Sequence, residues 1–124
     1  MKREGRLKSA FTDELKRQAP HFLSLQFSTA GAPDRCIVGN GITTFWEFKH
    51  GTPHYESQGL QELLCIRLAE QSFCRYVLWL EDAKGGNLST NIVHPVLNSI
   101  EASWAGHDAA PLVRHVLRIH QEKG

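Results

Sequence analysis

The chain has 124 residues, of which 41% are hydrophobic and 22% are charged, and its formal net charge is +1. This length fits one compact domain, residues 1–124, and the apolar content supports a core, which excludes a largely disordered chain. The near-neutral charge does not by itself mark a nucleic-acid-binding protein, and no apolar run approaches the roughly 20 residues of a membrane-spanning helix.

The three cysteines indicate a reducing environment. Cys36, Cys65 and Cys74 lie in or beside apolar segments, and none has the spacing of a paired metal-binding motif. Their odd number argues against a disulfide framework or a zinc site. The first residues lack the apolar run of a signal peptide. We therefore expect the protein to act in the cytoplasm.

The N-terminal segment predicts an amphipathic helix. Ser9 and Thr12 are candidate N-caps of a helix that ends near Gln18, with Phe11 and Leu15 on its inner face. A basic end that could contact phosphates is formed by Lys2, Arg3, Arg6, Lys8, Lys16 and Arg17. A solvated charged terminus is the commoner explanation of such a run.

A short strand and a β-hairpin are predicted next. Residues 23–27 alternate apolar and polar side chains, which is typical of a strand. Two apolar runs at 36–38 and 42–48 flank the sequence Gly-Asn-Gly at 39–41. This arrangement predicts a hairpin with a tight turn.

The hairpin places charged side chains close together. Asp34 precedes its first strand, and Glu47 and Lys49 lie near the end of its second. Residues i and i+2 of a strand share a face, so Glu47 and Lys49 point the same way. Trp46 and Phe48 point to the opposite face. The hairpin can bring Asp34 beside Glu47, and two carboxylates with a neighbouring lysine suit a hard divalent cation and the water it activates.

The rest of the chain predicts further helices and strands. A helix with an apolar stripe is expected from about residue 56 to residue 72, followed by a strongly apolar strand at 75–80. A last strand is expected at 92–93, and then a loop. Asp108 is a candidate N-cap of a final helix over 110–121.

Pro33-Asp34 followed by Glu47-x-Lys49 resembles the signature of the PD-(D/E)xK nuclease superfamily. The order helix, hairpin, helix, strand also matches the core of that superfamily. The chain is most similar to its small VRR-NUC type, found in phage and bacterial proteins, over roughly residues 10–82. The resemblance implies an α/β fold with a restriction-endonuclease-like core, in which α-helices flank a central mixed β-sheet.

The resemblance also implies a metal site. Asp34 and Glu47 would hold Mg²⁺ together with the backbone carbonyl of Phe48, and Mn²⁺ would substitute for it. Lys49 would position the attacking water and stabilise negative charge on the phosphate. The residues alone leave open a plain ion pair between Glu47 and Lys49 on a solvated strand face.

Two further site residues follow from the resemblance. Gln61 on the second predicted helix would act near the scissile phosphate, and Glu14 on the first would be an additional metal ligand. Both have simpler explanations in the sequence. Gln61 could be a surface glutamine, and Glu14 could pair with Arg17 or Gln18 along its own helix.

These features predict a Mg²⁺-dependent DNA endonuclease. Branched DNA, such as a Holliday junction, is the expected substrate, and a homodimer would place two sites on opposed strands. Apolar residues on two flanks of the final helix predict that it contributes to the dimer interface. A phage DNA-processing or restriction-like nuclease, a non-catalytic DNA-binding or assembly subunit, and an accidental motif match in another small α/β protein remain alternatives.

Overall fold

The computed structural model describes residues 3–29, 31–51, 60–81 and 87–124. In these ranges the chain forms three helices and six strands: α1 (Arg3–Gln18), β1 (Leu23–Leu25), β2 (Arg35–Gly39), β3 (Ile42–Gly51), α2 (Leu60–Gln71), β4 (Phe73–Glu81), β5 (Leu88–Val93), β6 (Ile100–Ala105) and α3 (Ala109–Lys123). The predicted start of the second helix, near residue 56, lies outside the described ranges. None of the described helices is long and apolar enough to cross a membrane.

The strands form one mixed sheet in the order β1-β2-β3-β4-β5-β6. Neighbouring strands are antiparallel, except that β3 and β4 are parallel. Parallel neighbours need a crossover connection, and α2 lies between β3 and β4 in the chain. The α/β class and the mixed sheet predicted from the sequence are confirmed.

The helices cover both faces of the sheet. On one face, α1 and α3 pack on a core that includes Phe11, Leu15, Ile37, Trp46, Phe48, Val77, Trp79, Ile92, Leu112, Val113 and Val116. On the other face, α2 packs on a smaller core of Cys65, Cys74, Tyr76, Leu78 and Val93. Because side chains alternate along β3, Glu47 and Lys49 lie on the α2 face, opposite Trp46 and Phe48.

The β2–β3 hairpin has the two-residue turn that its sequence predicts. Gly39 pairs with Ile42, and the turn residues Asn40 and Gly41 have φ angles of 55° and 76°. Two consecutive positive φ angles are those of a type I′ turn, which matches the twist of the flanking strands. This turn fixes the register that runs from Gly39↔Ile42 to Arg35↔Trp46.

The start of α1 differs from the prediction. The helix begins at Arg3, so Ser9 and Thr12 lie inside it and do not cap it. The Thr12 hydroxyl instead donates to the backbone carbonyl of Lys8, four residues earlier, at 3.1 Å. A hydroxyl residue can make this bond within a helix, so its presence did not mark a boundary. The predicted end at Gln18 is confirmed.

The last strand of the sheet was missed. Residues 100–105 were expected to be a loop, but they form β6 at the edge of the sheet. Ile100, Ala102 and Trp104 alternate with the polar Glu101 and Ser103, which is a strand pattern that could have identified this element. Trp104 is partly buried against the main core, where its ring lies 5.9 Å from that of His115.

The final helix follows its predicted start. Asp108 caps α3 by accepting a hydrogen bond from the Ala110 amide at 3.3 Å. Leu112 and Val113 are fully buried within the chain, whereas Leu117 and Ile119 are only half-buried. The contribution of this helix to a dimer interface stays a prediction.

Candidate metal centre at the end of the hairpin

The site lies where β3 extends beyond its hairpin partner. The pairing of β2 with β3 ends at Arg35↔Trp46, whereas β3 continues beside β4 as far as Gly51↔Leu80. The β2-facing edge of β3 is therefore unpaired by any described strand after Trp46. Asp34 takes this place, since its Oδ2 accepts a hydrogen bond from the Phe48 amide at 2.8 Å.

The structure brings Asp34 and Glu47 together. The Asp34 amide donates to Glu47 Oε1 at 3.2 Å, and the two carboxyl groups lie within hydrogen-bonding reach of each other. Their proximity follows from the register, because residue 34 is the next position opposite residue 47 after the last ladder pair. The predicted juxtaposition is present in the fold.

Glu47 is buried to an extent unusual for a carboxyl group. It is 1% exposed, and its Oε2 receives no hydrogen bond from any described N–H or O–H donor. The Lys49 ammonium lies 3.7 Å from this oxygen, beyond the length of a hydrogen bond. The contact of Oε2 with Lys49 is thus an ion pair without a hydrogen bond, and a proton or a bound cation would satisfy this oxygen further.

Burial sets the protonation of Glu47. Desolvation raises the pKa of Glu47 to about 9, assisted by the hydrogen bond and the charge of Asp34, while Lys49 acts in the opposite direction. The free chain therefore carries a protonated Glu47 at neutral pH. Two fully buried thiols, Cys65 on α2 and Cys74 on β4, belong to the core on the same face.

Asp34 has the opposite character. Desolvation alone would raise its pKa, but hydrogen bonds from Glu47, Lys8 and the Phe48 amide outweigh it, so the pKa of Asp34 lies below its usual range. Two adjacent carboxyl groups with pKa values pushed apart are typical of functional sites. Asp34 is the charged member of the pair, and Glu47 is the neutral one.

Lys8 is a site residue that the sequence did not single out. Its Nζ lies 2.9 Å from Asp34 Oδ1, and its side chain is 27% exposed. Lys8, Phe11 and Leu15 follow the i, i+3, i+7 spacing of one helix face. A lysine within an otherwise apolar helical stripe is the signal that could have identified it.

Lys49 lies on the same face as Glu47, as its spacing predicts. Its side chain is 19% exposed, against 1% for Glu47. The alternative of an ion pair on a solvated strand face is therefore wrong, because one partner is shielded from water. The neighbouring His50 points to the other face, where its Nε2 lies 3.4 Å from Glu81 Oε2.

Gln61 and Glu14 have different outcomes. Gln61 belongs to the first turn of α2, and its side chain lies outside the described part of the structure. Glu14 accepts hydrogen bonds from Arg17, at 3.1 Å from Nε, and from Gln18 at 2.8 Å. These two hydrogen bonds lower the pKa of Glu14 to about 2, and the bond from Arg17 has the larger effect. Glu14 thus adopts the simpler pairing along its own helix.

The oxygens at the site suit a hard divalent cation. Among the described residues no three His, Cys, Asp or Glu side chains converge, so Glu14 does not join Asp34 and Glu47. Mg²⁺ is commonly held by one or two carboxylates, with water and substrate phosphate completing its shell. The amide and carbonyl of one strand residue face the same neighbour, so the Phe48 carbonyl faces the side occupied by Asp34. The unpartnered Glu47 Oε2, Asp34 and this carbonyl form a fitting donor set.

The fold and the site define an α/β protein in which the buried carboxyl group of Glu47 and the half-buried carboxyl group of Asp34 lie beside a lysine. No protein-family model matches the chain, and no curated protein is significantly similar to it.

Proposed function

We propose that this protein is a metal-dependent endonuclease that hydrolyses DNA phosphodiester bonds. Its active site would comprise Asp34, Glu47 and Lys49. The observation that carries the proposal is Glu47, a carboxyl group 1% exposed whose Oε2 meets no described donor. Leaving a buried carboxyl oxygen without a hydrogen bond costs stability. A cation bound between Glu47 and Asp34 would offset that cost.

The fold supports the same proposal. The described elements follow the order helix, hairpin, helix, strand, and the strand after the second helix pairs in parallel with the second hairpin strand. This order is the one expected of a restriction-endonuclease-like core. The two carboxyl groups and Lys49 lie at the end of the hairpin, as the motif of that superfamily requires. Assignment to the PD-(D/E)xK superfamily is part of the proposal.

The residues of the chain have distinct tasks in this scheme. Asp34 and Glu47 would hold Mg²⁺ or Mn²⁺ with the Phe48 carbonyl, and the cation would lower the pKa of a bound water and polarise the phosphate. Lys49, on the same face as Glu47, would donate hydrogen bonds to the phosphate, where negative charge grows as the new P–O bond forms and the old one breaks. Gln61 is proposed to contact the same phosphate.

Branched DNA is the proposed substrate, and a homodimer is the proposed active form. A two-fold axis would present two equivalent sites to opposed strands of a four-way junction. Cytoplasmic action fits a DNA substrate.

Cleavage of a panel of DNAs tests the proposal. Linear duplex, flapped and four-way substrates would be incubated with the protein in Mg²⁺, Mn²⁺ or EDTA. We expect cation-dependent cuts, strongest on the four-way junction, and at least a roughly 100-fold decrease of rate in Asp34→Asn. Glu70→Gln, which alters an exposed carboxylate on α2, is the matched control and should cut normally.

Two outcomes would overturn the endonuclease assignment. Full activity of a folded Asp34→Asn protein would show that the cuts arise elsewhere. Binding of DNA without cleavage under any of these conditions would favour a non-catalytic DNA-binding subunit. Preferred cleavage of intact linear duplex would instead support a restriction-like or DNA-processing nuclease.

A further inference from the structure

Lys8 reaches the carboxyl pair from a different element than Lys49 does. It lies on α1, which packs on the face of the sheet opposite α2, and its Nζ is 2.9 Å from Asp34 Oδ1. Lys49 lies on β3 at the other end of the pair, 3.7 Å from Glu47 Oε2. The two ammonium groups therefore flank the two carboxyl groups.

The charges of this group are unbalanced once a cation binds. Two ionised carboxylates and two ammonium groups sum to zero, so a divalent cation leaves an excess of two positive charges. Both lysine side chains are mostly buried, at 27% and 19% exposed. Excess charge that is partly removed from water is costly unless an opposite charge accompanies it. A phosphodiester, which is anionic and gains charge during hydrolysis, is the compensating group that the proposed function supplies.

We propose that Lys8 is a second phosphate-contacting residue of the site, and that the phosphate nearest the cation is held between Lys8 and Lys49. The inference rests on the proposed function for its ligand, a nucleic-acid phosphodiester. It adds a residue on α1 that the Asp-Glu-Lys motif does not include. Lys8 keeps its ammonium beside Asp34 and directs its other N–H groups to the incoming phosphate oxygen.

Salt dependence of DNA binding tests this role without requiring cleavage. The slope of log K against log salt concentration falls by about 0.9 for each phosphate of duplex DNA that a protein no longer neutralises. A fluorescent four-way junction would be titrated in Ca²⁺ at several KCl concentrations, with binding followed by anisotropy. We expect Lys8→Gln to lower the slope by about one, and Lys8→Arg to restore it.

The matched control lies on another helix. Lys123 is exposed near the end of α3, and its ammonium lies 5.4 Å from the centroid of the Phe73 ring at the start of β4. Lys123→Gln makes the same charge change and should leave the slope at the wild-type value. Urea unfolding of each variant shows whether the fold is intact, and Lys8→Arg keeps the test valid if Lys8→Gln unfolds.

The possible results distinguish a failure of the phosphate role of Lys8 from a failure of the proposed function. A wild-type slope in Lys8→Gln, or an equal decrease in Lys123→Gln, would overturn the phosphate role of Lys8 even if the protein cuts DNA. A protein that binds DNA with the expected slopes but never cuts it would support Lys8 and overturn the endonuclease. A wild-type chain that binds no DNA would overturn both.

Discussion

At the scale of single residues, the candidate site depends on a carboxyl group that water does not reach. Glu47 occupies a position on β3 whose neighbours in the chain, Trp46 and Phe48, form part of the main core. A glutamate there is destabilising in the free protein, because its charge is excluded by burial and its proton must be held by the fold. Residues that reduce stability in this way are commonly kept for function.

The proton on Glu47 gives stability a defined pH dependence. The pKa of Glu47 is raised from 4.5 to about 9 in the folded metal-free chain, so the folded state holds this proton more tightly than the unfolded state. The contribution of this group to the free energy of unfolding is complete below pH 4.5 and is lost as the pH rises towards 9. The lowered pKa of Asp34 acts in the other direction, and its contribution is lost only as the pH falls below the usual value of 3.8.

Glu47→Gln should remove this loss of stability at high pH. The amide has nearly the shape of the protonated acid and does not ionise. We expect the free energy of unfolding at pH 8, in EDTA, to rise by roughly 1–3 kcal/mol while cleavage is abolished. Urea unfolding at pH 5 and pH 8 measures the effect, with Glu70→Gln as the exposed control. A wild-type protein equally stable at both values of pH would contradict the buried proton.

Lys49 should contribute more to catalysis than to binding. Its ammonium lies beside the carboxyl pair, where negative charge on the phosphate would increase during the reaction. We expect Lys49→Met to lower kcat about 100-fold or more with little change in KM, whereas Lys123→Met changes neither. Steady-state cleavage assays give both constants. A variant with raised KM and unchanged kcat would show that Lys49 only binds the substrate.

At the scale of elements, the hairpin is what holds Asp34 against Glu47. Much of it could be predicted, since the Gly-Asn-Gly turn and the two apolar runs fix the register, and the register places residue 34 opposite residue 47. The stripe of Lys8, Phe11 and Leu15 marks Lys8 as an inward-facing residue of α1, but its contact with Asp34 could not be predicted, because the packing of α1 against the sheet is a tertiary contact. The burial of Glu47 could not be predicted either, because alternation along β3 indicates which side of the sheet a side chain occupies but not how deeply neighbouring elements bury it.

The other end of the hairpin is tied to α3. His120 is fully buried, with its Nε2 2.8 Å from the Thr44 hydroxyl and its Nδ1 donating to the Gly39 carbonyl at 2.9 Å. The Trp46 indole donates in turn to Thr44 at 2.7 Å. The position of this histidine in the sequence, near the end of an amphipathic helix, does not predict the hydrogen-bond network. The network fixes the hairpin at its turn, while Asp34 and Phe48 fix it at the site.

The turn itself can be tested at one position. Gly41 has a φ angle of 76°, and no atom lies within 4 Å of the place where a Cβ would be added. The cost of substitution is therefore conformational. We expect Gly41→Val to lower the free energy of unfolding by about 1–2 kcal/mol, and Gly41→Asn by clearly less, because asparagine tolerates positive φ. Urea unfolding of both variants makes the comparison, and equal decreases would contradict a type I′ turn.

At the scale of the whole molecule, the sheet separates the larger core from the side chains of Glu47 and Lys49. The face covered by α1 and α3 carries the larger core, and the face covered by α2 carries Glu47, Lys49 and a smaller core. The site lies at one end of the sheet, where β3 and β4 extend beyond the end of β2.

Assembly should be visible as a doubled mass. A homodimer remains our prediction, although Leu112, Val113 and Val116 of α3 are buried within one chain. Light scattering at micromolar protein should give about twice the chain mass of 14.0 kDa. A mass near that of one chain, with and without a four-way junction, would contradict the dimer.

Direct measurement of cation binding tests the central claim most closely. Mn²⁺ would be titrated into the free protein at pH 8, and bound and free ion distinguished by electron paramagnetic resonance. We expect one Mn²⁺ per chain in the wild type, and none in an Asp34→Asn/Glu47→Gln double variant that still unfolds cooperatively in urea. Equal Mn²⁺ binding by the two proteins, or none by the wild type, would contradict a metal centre at Asp34 and Glu47.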